Sequence, residues 1–193
     1  MLLNTHLIFT NITRHIQLTD AEKAHFSSLL VERQLAKNES VLKQEELCKY
    51  LYFVNEGTLR AFFLNTKGKE STVMFATQDW WITDMHCFLN ELPAMVHIEA
   101  VENSRVLQLA KHDLDQLYED IPAFNQFFRV LMQNAYCREQ LRMIQNLSLP
   151  ALERYENFMD KYPQLANKVT LKQIASYLGI TPEFLSTIRA TRK

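Results

Sequence analysis

Between Pro122 and Pro150 the chain has neither proline nor glycine, and good helix formers fill the interval: P-A-F-N-Q-F-F-R-V-L-M-Q-N-A-Y-C-R-E-Q-L-R-M-I-Q-N-L. This predicts one helix of about 25 residues, against ~11–12 for an ordinary globular helix, ended near Ser148-Leu149-Pro150. Phe124, Phe128, Leu131, Ala135 and Arg138 fall along one stripe, with Phe127, Val130, Asn134 and Leu141 beside it. A stripe this wide has more apolar surface than a small barrel covers, so these residues are expected to form a dimer interface. The competing expectation is a helix buried wholly within one protomer.

The texture before this helix is different. From Asn4 to Val31 the pattern is helical, with Leu18-Thr19-Asp20 as a cap and Phe26, Leu29 and Leu30 as a stripe. From Arg33 to about Leu109 short runs of Val, Phe, Tyr, Leu and Thr alternate with turn signals at Asn38, Asn55-Glu56-Gly57, Asn65-Thr66-Lys67-Gly68 and Asn90. That spacing predicts an antiparallel barrel or sandwich. Its clearest hairpin joins Leu59–Leu64 to Glu70–Phe75, with Gly68 supplying the positive φ the loop needs. Helical periodicity returns after Lys111-His112-Asp113-Leu114 and stays.

After Pro150, Leu152 to Tyr162 reads as a helix ending before Pro163. The final stretch then gives helix, tight turn, helix. Leu171, Ile174, Ala175 and Leu178 recur at helical spacing, Gly179 stops the pattern, and Ile180, Phe184, Leu185 and Ile188 restart it. Thr181 can cap the second helix with Pro182 at its first position. A small residue where two helices cross and a Gly in the turn suit a DNA-binding helix-turn-helix; the plainer reading is an αα-hairpin packed on its neighbours. The non-core positions of the second helix, Glu183, Ser186, Thr187, Arg189, Ala190 and Thr191, are mostly small, hydroxylated or basic, as phosphate and base-edge contacts require.

Composition narrows the function classes. The net charge of −1 excludes a uniformly basic surface, yet Lys168, Lys172, Arg189, Arg192 and Lys193 face only Glu183 at the C-terminal end, a basic pole. Cys48, Cys87 and Cys137 form no C-x-x-C pair, and Asp84, His86 and His97 lack the spacing of a metal site, so no metal or cofactor is expected. No apolar run approaches the ~18–20 residues of a membrane span, and the first residues lack the features of a signal peptide, so the expected location is cytoplasmic. The three glycines leave no phosphate-cradling loop, and no catalytic motif is present, which argues against an enzyme.

A helical lead-in, β-barrel, long helix and helix-turn-helix together resemble the Crp/Fnr superfamily of bacterial transcription regulators over nearly the whole chain. L-Y-F-V-N-E-G-T-L-R-A-F-F-L-N-T-K-G-K-E-S is similar to that family's cyclic-nucleotide-binding β-roll. A-L-E-R-Y-E-N-F-M-D-K-Y-P-Q-L and I-A-S-Y-L-G-I-T-P-E-F-L-S-T-I-R resemble the short members common in Bacteroidetes, which stop just past the recognition helix without a β-wing. The resemblance implies an α+β fold in three parts: a β-roll sensor over 1–121 with the double-stranded β-helix architecture, a dimerisation helix over 122–147, and a helix-turn-helix over 148–193 lacking a complete wing. It also implies a homodimer on double-stranded DNA, with RNA polymerase and an unidentified small-molecule effector as further partners.

Two departures from the family's pattern shape the expected chemistry. A cyclic-nucleotide cassette needs Gly-Glu before a short helix and an Arg to pair with the buried phosphate. Here Thr83-Asp84 stands at the first position, the Arg is missing near Ala94-Met95-Val96, and no Arg or Lys occurs between Lys69 and Arg105. Cyclic nucleotide binding in the usual mode is therefore not expected, since the phosphate would be buried unpaired. Trp81, Thr83, Asp84, Met85, His86, Met95 and His97, with Trp80 and Phe88, are expected to line the same space, as an aromatic effector pocket or as plain core. In the second departure Thr187 stands where relatives often carry Arg. The expected DNA contacts are Thr181, Glu183, Ser186, Thr187 and Arg189, with Lys172, Arg192 and Lys193 on phosphates. The alternative function is a sensor or adaptor that keeps the fold and acts through protein contacts.

Overall fold

The computed structural model describes residues 3–165 and 167–191. Helices α1 (His6–Thr13) and α2 (Asp20–Ser28) lead into strands β1 (Leu30–Leu35), β2 (Ser40–Leu42), β3 (Tyr50–Glu56), β4 (Thr58–Leu64), β5 (Glu70–Thr77) and β6 (Trp81–Ile82). A short helix α3 (Met85–Asn90) precedes β7 (His97–Ala100) and β8 (Ser104–Ala110), and helices α4 (Lys111–Asp120), α5 (Ala123–Ser148), α6 (Ala151–Lys161), α7 (Leu171–Leu178) and α8 (Pro182–Thr191) follow. The fold is α+β, as the sequence led us to expect. The cap expected at Thr19 is a full capping box: the Thr19 hydroxyl accepts from the Glu22 N–H while the Glu22 carboxylate accepts from the Thr19 N–H.

The strands form two antiparallel four-stranded sheets, β1-β8-β3-β6 and β2-β7-β4-β5, faced into a roll. The expected hairpin is β4–β5, and Gly68 at its turn has φ 73°. At the β3–β4 turn Gly57 has φ 92°, and a Cβ there would lie 2.2 Å from the Ser104 Oγ. That hydroxyl accepts from the Thr58 N–H at 3.1 Å and donates to the Glu102 carbonyl at 2.8 Å. No side chain at 57 fits beside it.

The roll's core extends into the first turns of α5. Phe26, Phe124, Phe127 and Phe128 join Phe53, Trp81, Leu114 and Leu117 in one buried cluster, with the Phe26 and Phe124 rings 4.7 Å apart. This corrects the expectation that Phe124 and Phe128 belong to a dimer interface: at 0% and 4% exposure they are buried in their own protomer, because α2, α4 and β6 supply the apolar surface that covers them. Leu131, Ala135 and Arg138 continue the same stripe and also face the roll, lining a cavity against it. The exposed apolar residues lie elsewhere on α5: Tyr136, Leu141, Met143, Ile144 and, at 84%, Leu147.

A second buried cluster holds the C-terminal helices together, with Tyr155, Phe158, Tyr162 and Leu165 packed with Ile174, Ala175, Leu178, Leu185 and Ile188. Phe75 of β5 and Val101 belong to it as well. Strands alternate faces, so Phe75 points away from the roll's interior. Its ring lies 6.1 Å from Phe158 and 5.6 Å from Tyr177. The helix-turn-helix is thereby seated on the outer face of the β5 edge.

Candidate nucleic-acid interface and adjoining cavity

Each turn of the helix-turn-helix has a local cause. Thr170 and Gln173 form a reciprocal capping box that starts α7. Gly179 ends it at φ 69°, and the Ile180 N–H reaches back to the Ala175 carbonyl at 3.0 Å. The Thr181 hydroxyl accepts from the Phe184 N–H at 3.2 Å, which makes it the expected cap of α8. Ala175 is fully buried between the two helices, and Leu185 and Ile188 hold the inner face of α8. The outer face leaves Thr181, Glu183, Ser186, Thr187, Arg189 and Ala190 exposed, and Lys172 is exposed near the start of α7.

Ser186 and Thr187 donate to carbonyls four residues earlier, at 3.0 and 3.2 Å, so both hydroxyls keep lone pairs directed outward for an external donor. Phe184, expected in the core, is instead half-exposed beside Thr181, where a ring could meet a thymine methyl group. Arg192 and Lys193 lie outside the described residues. Lys168 pairs with Glu102 of the roll at 2.7 Å, which withdraws it from the basic pole.

The cavity against α5 has a volume of about 630 Å³. Of the residues expected there, Trp80, Trp81, Thr83, Asp84, Met85 and Met95 line it, while Phe88 is buried in the roll's core instead. His86 and His97 do not: His86 is exposed on α3, and His97 lies on the sheet's other face, stacked on Phe62 at 5.1 Å. The reason is the two-residue strand period for His97 and the helical turn that carries His86 away from its neighbour Met85. Asp84 caps α3 through the Cys87 N–H and also accepts from the Met95 N–H at 2.8 Å. The Thr83 hydroxyl donates to the Tyr50 carbonyl at 2.8 Å. Both side chains thus serve the local backbone.

Sequence reasoning placed no cation near this cavity, and the fold brings two from outside the cassette segment. Arg14, the residue after α1, reaches Asp79 at 2.6 Å, and Arg138 of α5 stacks over Trp80 at 4.8 Å; both line the cavity. Nothing in the local sequence signals either, because each converges through tertiary packing. The roll's buried Arg60 is not a substitute. Its neighbour Ala61 lines the cavity, while Arg60 faces the other way and pairs with Glu70 at 2.8 Å and Glu99 at 2.7 Å.

Burial pushes the Cys48 and Cys87 thiols above their ordinary range, which keeps them protonated and unreactive. No group of three or more His, Cys, Asp or Glu among the described residues is placed to hold a metal ion, and no helix among them is long and apolar enough to cross a membrane.

Residues 32–120 match the family model for the cyclic nucleotide-binding domain. No curated protein matches the sequence. Among solved structures, the chain is similar to the c-di-GMP-responsive global regulator CLP of Xanthomonas campestris, with 12% identity, TM-score 0.74, and 90% of this chain and 91% of that one covered. It is similar also to a Eubacterium rectale protein assigned to the crp/fnr family of transcriptional regulators, with 19% identity, TM-score 0.72 and coverage of 90% and 83%. FixK2 of Bradyrhizobium japonicum gives 18% identity, TM-score 0.71 and coverage of 84% and 83%. The shared architecture is the Crp/Fnr fold.

Proposed function

We propose that this chain, a cyclic nucleotide-binding domain continued by a long helix and a helix-turn-helix in the Crp/Fnr fold, is a homodimeric, DNA-binding transcription regulator of the cytoplasm and not an enzyme. One observation carries the reading: α8 buries Leu185 and Ile188 inward and turns Thr181, Ser186, Thr187 and Arg189 out, with a capped start. A helix so presented fits the major groove, and two of them on a two-fold dimer would read half-sites about one helical turn apart.

Dimerisation is assigned to the outward face of α5. Val130, Cys137 and Ile144 recur every seven residues, with Leu141 and Leu147 beside them, and Leu141, Ile144 and Leu147 are exposed. A seven-residue repeat on an exposed apolar face suits a parallel two-stranded seam with a second copy. The stripe Phe124, Phe128, Leu131, Ala135 and Arg138 takes no part in it.

The cavity does not meet the needs of a cyclic phosphate in the usual mode. Asp84 lines it where the family's Glu is expected, the Arg expected near Ala94-Met95-Val96 is missing, and its two cations, Arg14 and Arg138, come from outside that segment. The three-part division at 121/122 and 147/148 assigns sensing to the roll, pairing to α5 and reading to the final helices, with Ser148-Leu149-Pro150 as the hinge that a repacked cavity would bias.

Selection of duplexes from a random pool by the purified protein tests this reading. Enrichment of a palindrome bound by two protomers is expected; recovery of a pool with no common sequence would remove it.

A further inference from the structure

On the other side of Arg138 from the cavity, α5 and α6 enclose a separate crevice of about 410 Å³. Four cations line it, Arg138 and Arg142 from α5 and Arg154 and Lys161 from α6. Asp160 stands in its wall, and Glu139 lies 3.1 Å from the Arg142 Nε and 3.7 Å from the Arg138 Nε. Neither arginine is a free surface group, their side chains being 28% and 24% exposed.

The crowding leaves two uncompensated features. The Arg154 Nη1 donates to the Leu178 carbonyl at 2.7 Å and to Asn146 at 3.3 Å, but its Nε is buried without a partner. Native structures rarely leave a buried guanidinium N–H unpaired. Lys161 is held below the ordinary lysine range by burial and then by repulsion from Arg138, with Arg142 adding to it against the opposing pull of Glu139. An anion in the crevice would relieve both. Beside the charges stand Phe158, Tyr162 and Tyr177, an apolar and aromatic wall. Guanidinium forks match phosphate oxygens in pairs.

We propose that the crevice between α5 and α6 binds a small phosphorylated molecule carrying a flat apolar group, its phosphate held by Arg138, Arg142, Arg154 and Lys161 and its flat part laid on the aromatic wall. Such a ligand ties α5 to α6 across Leu149-Pro150. It is a second input, distinct from the roll cavity and touching it through Arg138, which lines both. Its effect on DNA reading rests on the function proposed above; the binding itself does not.

Calorimetric titration of the full chain with phenyl phosphate, without DNA, tests the site. One saturable event per protomer is expected, tighter than for inorganic phosphate and weakened about tenfold by Lys161→Gln or Arg138→Gln. Lys161 lies at the end of α6, so Lys161→Gln keeps the fold and decides the matter if Arg138→Gln fails to fold. The absence of saturable heat, or equal affinity in wild type and Lys161→Gln, would overturn the proposal. Duplex binding by Lys161→Gln is expected to match wild type. A parallel loss of duplex affinity would assign these cations to the DNA backbone and overturn the small-molecule site.

Discussion

The Ser176 hydroxyl closes the free edge of β5 at Thr72, accepting from the Thr72 N–H at 2.8 Å and donating to the Glu70 carbonyl at 2.9 Å. β5 has a partner strand, β4, on one side only, and an open edge invites pairing with another chain. One side chain of α7 here takes the place of a strand, and Arg142 adds a bond to the Val73 carbonyl at 2.5 Å while stacking on Tyr177. The helix-turn-helix is fixed to the roll by hydrogen bonds to its backbone as well as by Phe75.

Ser176→Ala leaves the Thr72 N–H and the Glu70 carbonyl without that partner. A loss of about 1–3 kcal/mol follows from stranding such groups, with faster amide exchange at Thr72. Ser186→Ala, whose hydroxyl bonds only its own exposed helix, changes stability by less than ~0.5 kcal/mol. Denaturant unfolding of both variants, with exchange at Thr72, checks the contrast.

Gly57→Ala combines a disfavoured φ with a collision against Ser104. Backbone strain of ~1–3 kcal/mol and overpacking of similar size give about 3 kcal/mol or more. The urea midpoint falls with the slope unchanged, and Gly68→Ala, where a Cβ meets nothing, costs the backbone term alone.

The outward face of α5 predicts that Cys137, exposed and unpaired, meets Cys137 of a second copy across a parallel seam. Mild oxidation then yields a covalent dimer, and Cys137→Ser removes it. Ile144→Glu gives a monomer in sedimentation equilibrium. A dimer that resists Ile144→Glu and fails to cross-link would place the interface elsewhere.

Alkaline pH destabilises the fold through buried phenols. Burial raises Tyr118 to about 12, and Tyr52 and Tyr162 are pushed higher still, with Tyr177 adding to the shift at Tyr162. A raised phenol contributes stability that is complete below the ordinary tyrosine value of 10 and is lost as pH climbs toward the folded value. Tyrosinate absorbance should therefore rise together with loss of tertiary structure, and Tyr118→Phe should narrow the loss.

The sequence carried the fold wherever structure is set locally. Thr19, Gly68, Gly179, Thr181 and the Pro122–Pro150 interval each mark a cap, a turn or a boundary that the structure keeps. Phe124 and Phe128 at the start of the α5 stripe are apolar as expected but are buried within their own protomer, because periodicity identifies a buried face without naming what buries it. His97 was misplaced by the strand period, and Phe184 by its helical spacing. The roles of Arg14, Arg142 and Ser176, and the stacking of Arg138 on Trp80, were silent for one reason: each acts on an element far away in the chain, and only the packed fold brings them together.

The central claim, that α8 reads DNA for a dimer, is tested most directly by the affinity of the purified protein for its selected palindrome and for a scrambled duplex over a salt series. The account predicts two protomers per palindrome, affinity at least about a thousandfold above the scrambled duplex, a steep fall with salt, and about a tenfold loss of palindrome affinity for Arg189→Ala. Equal affinity for both duplexes at every salt concentration, unchanged by Arg189→Ala, would contradict it.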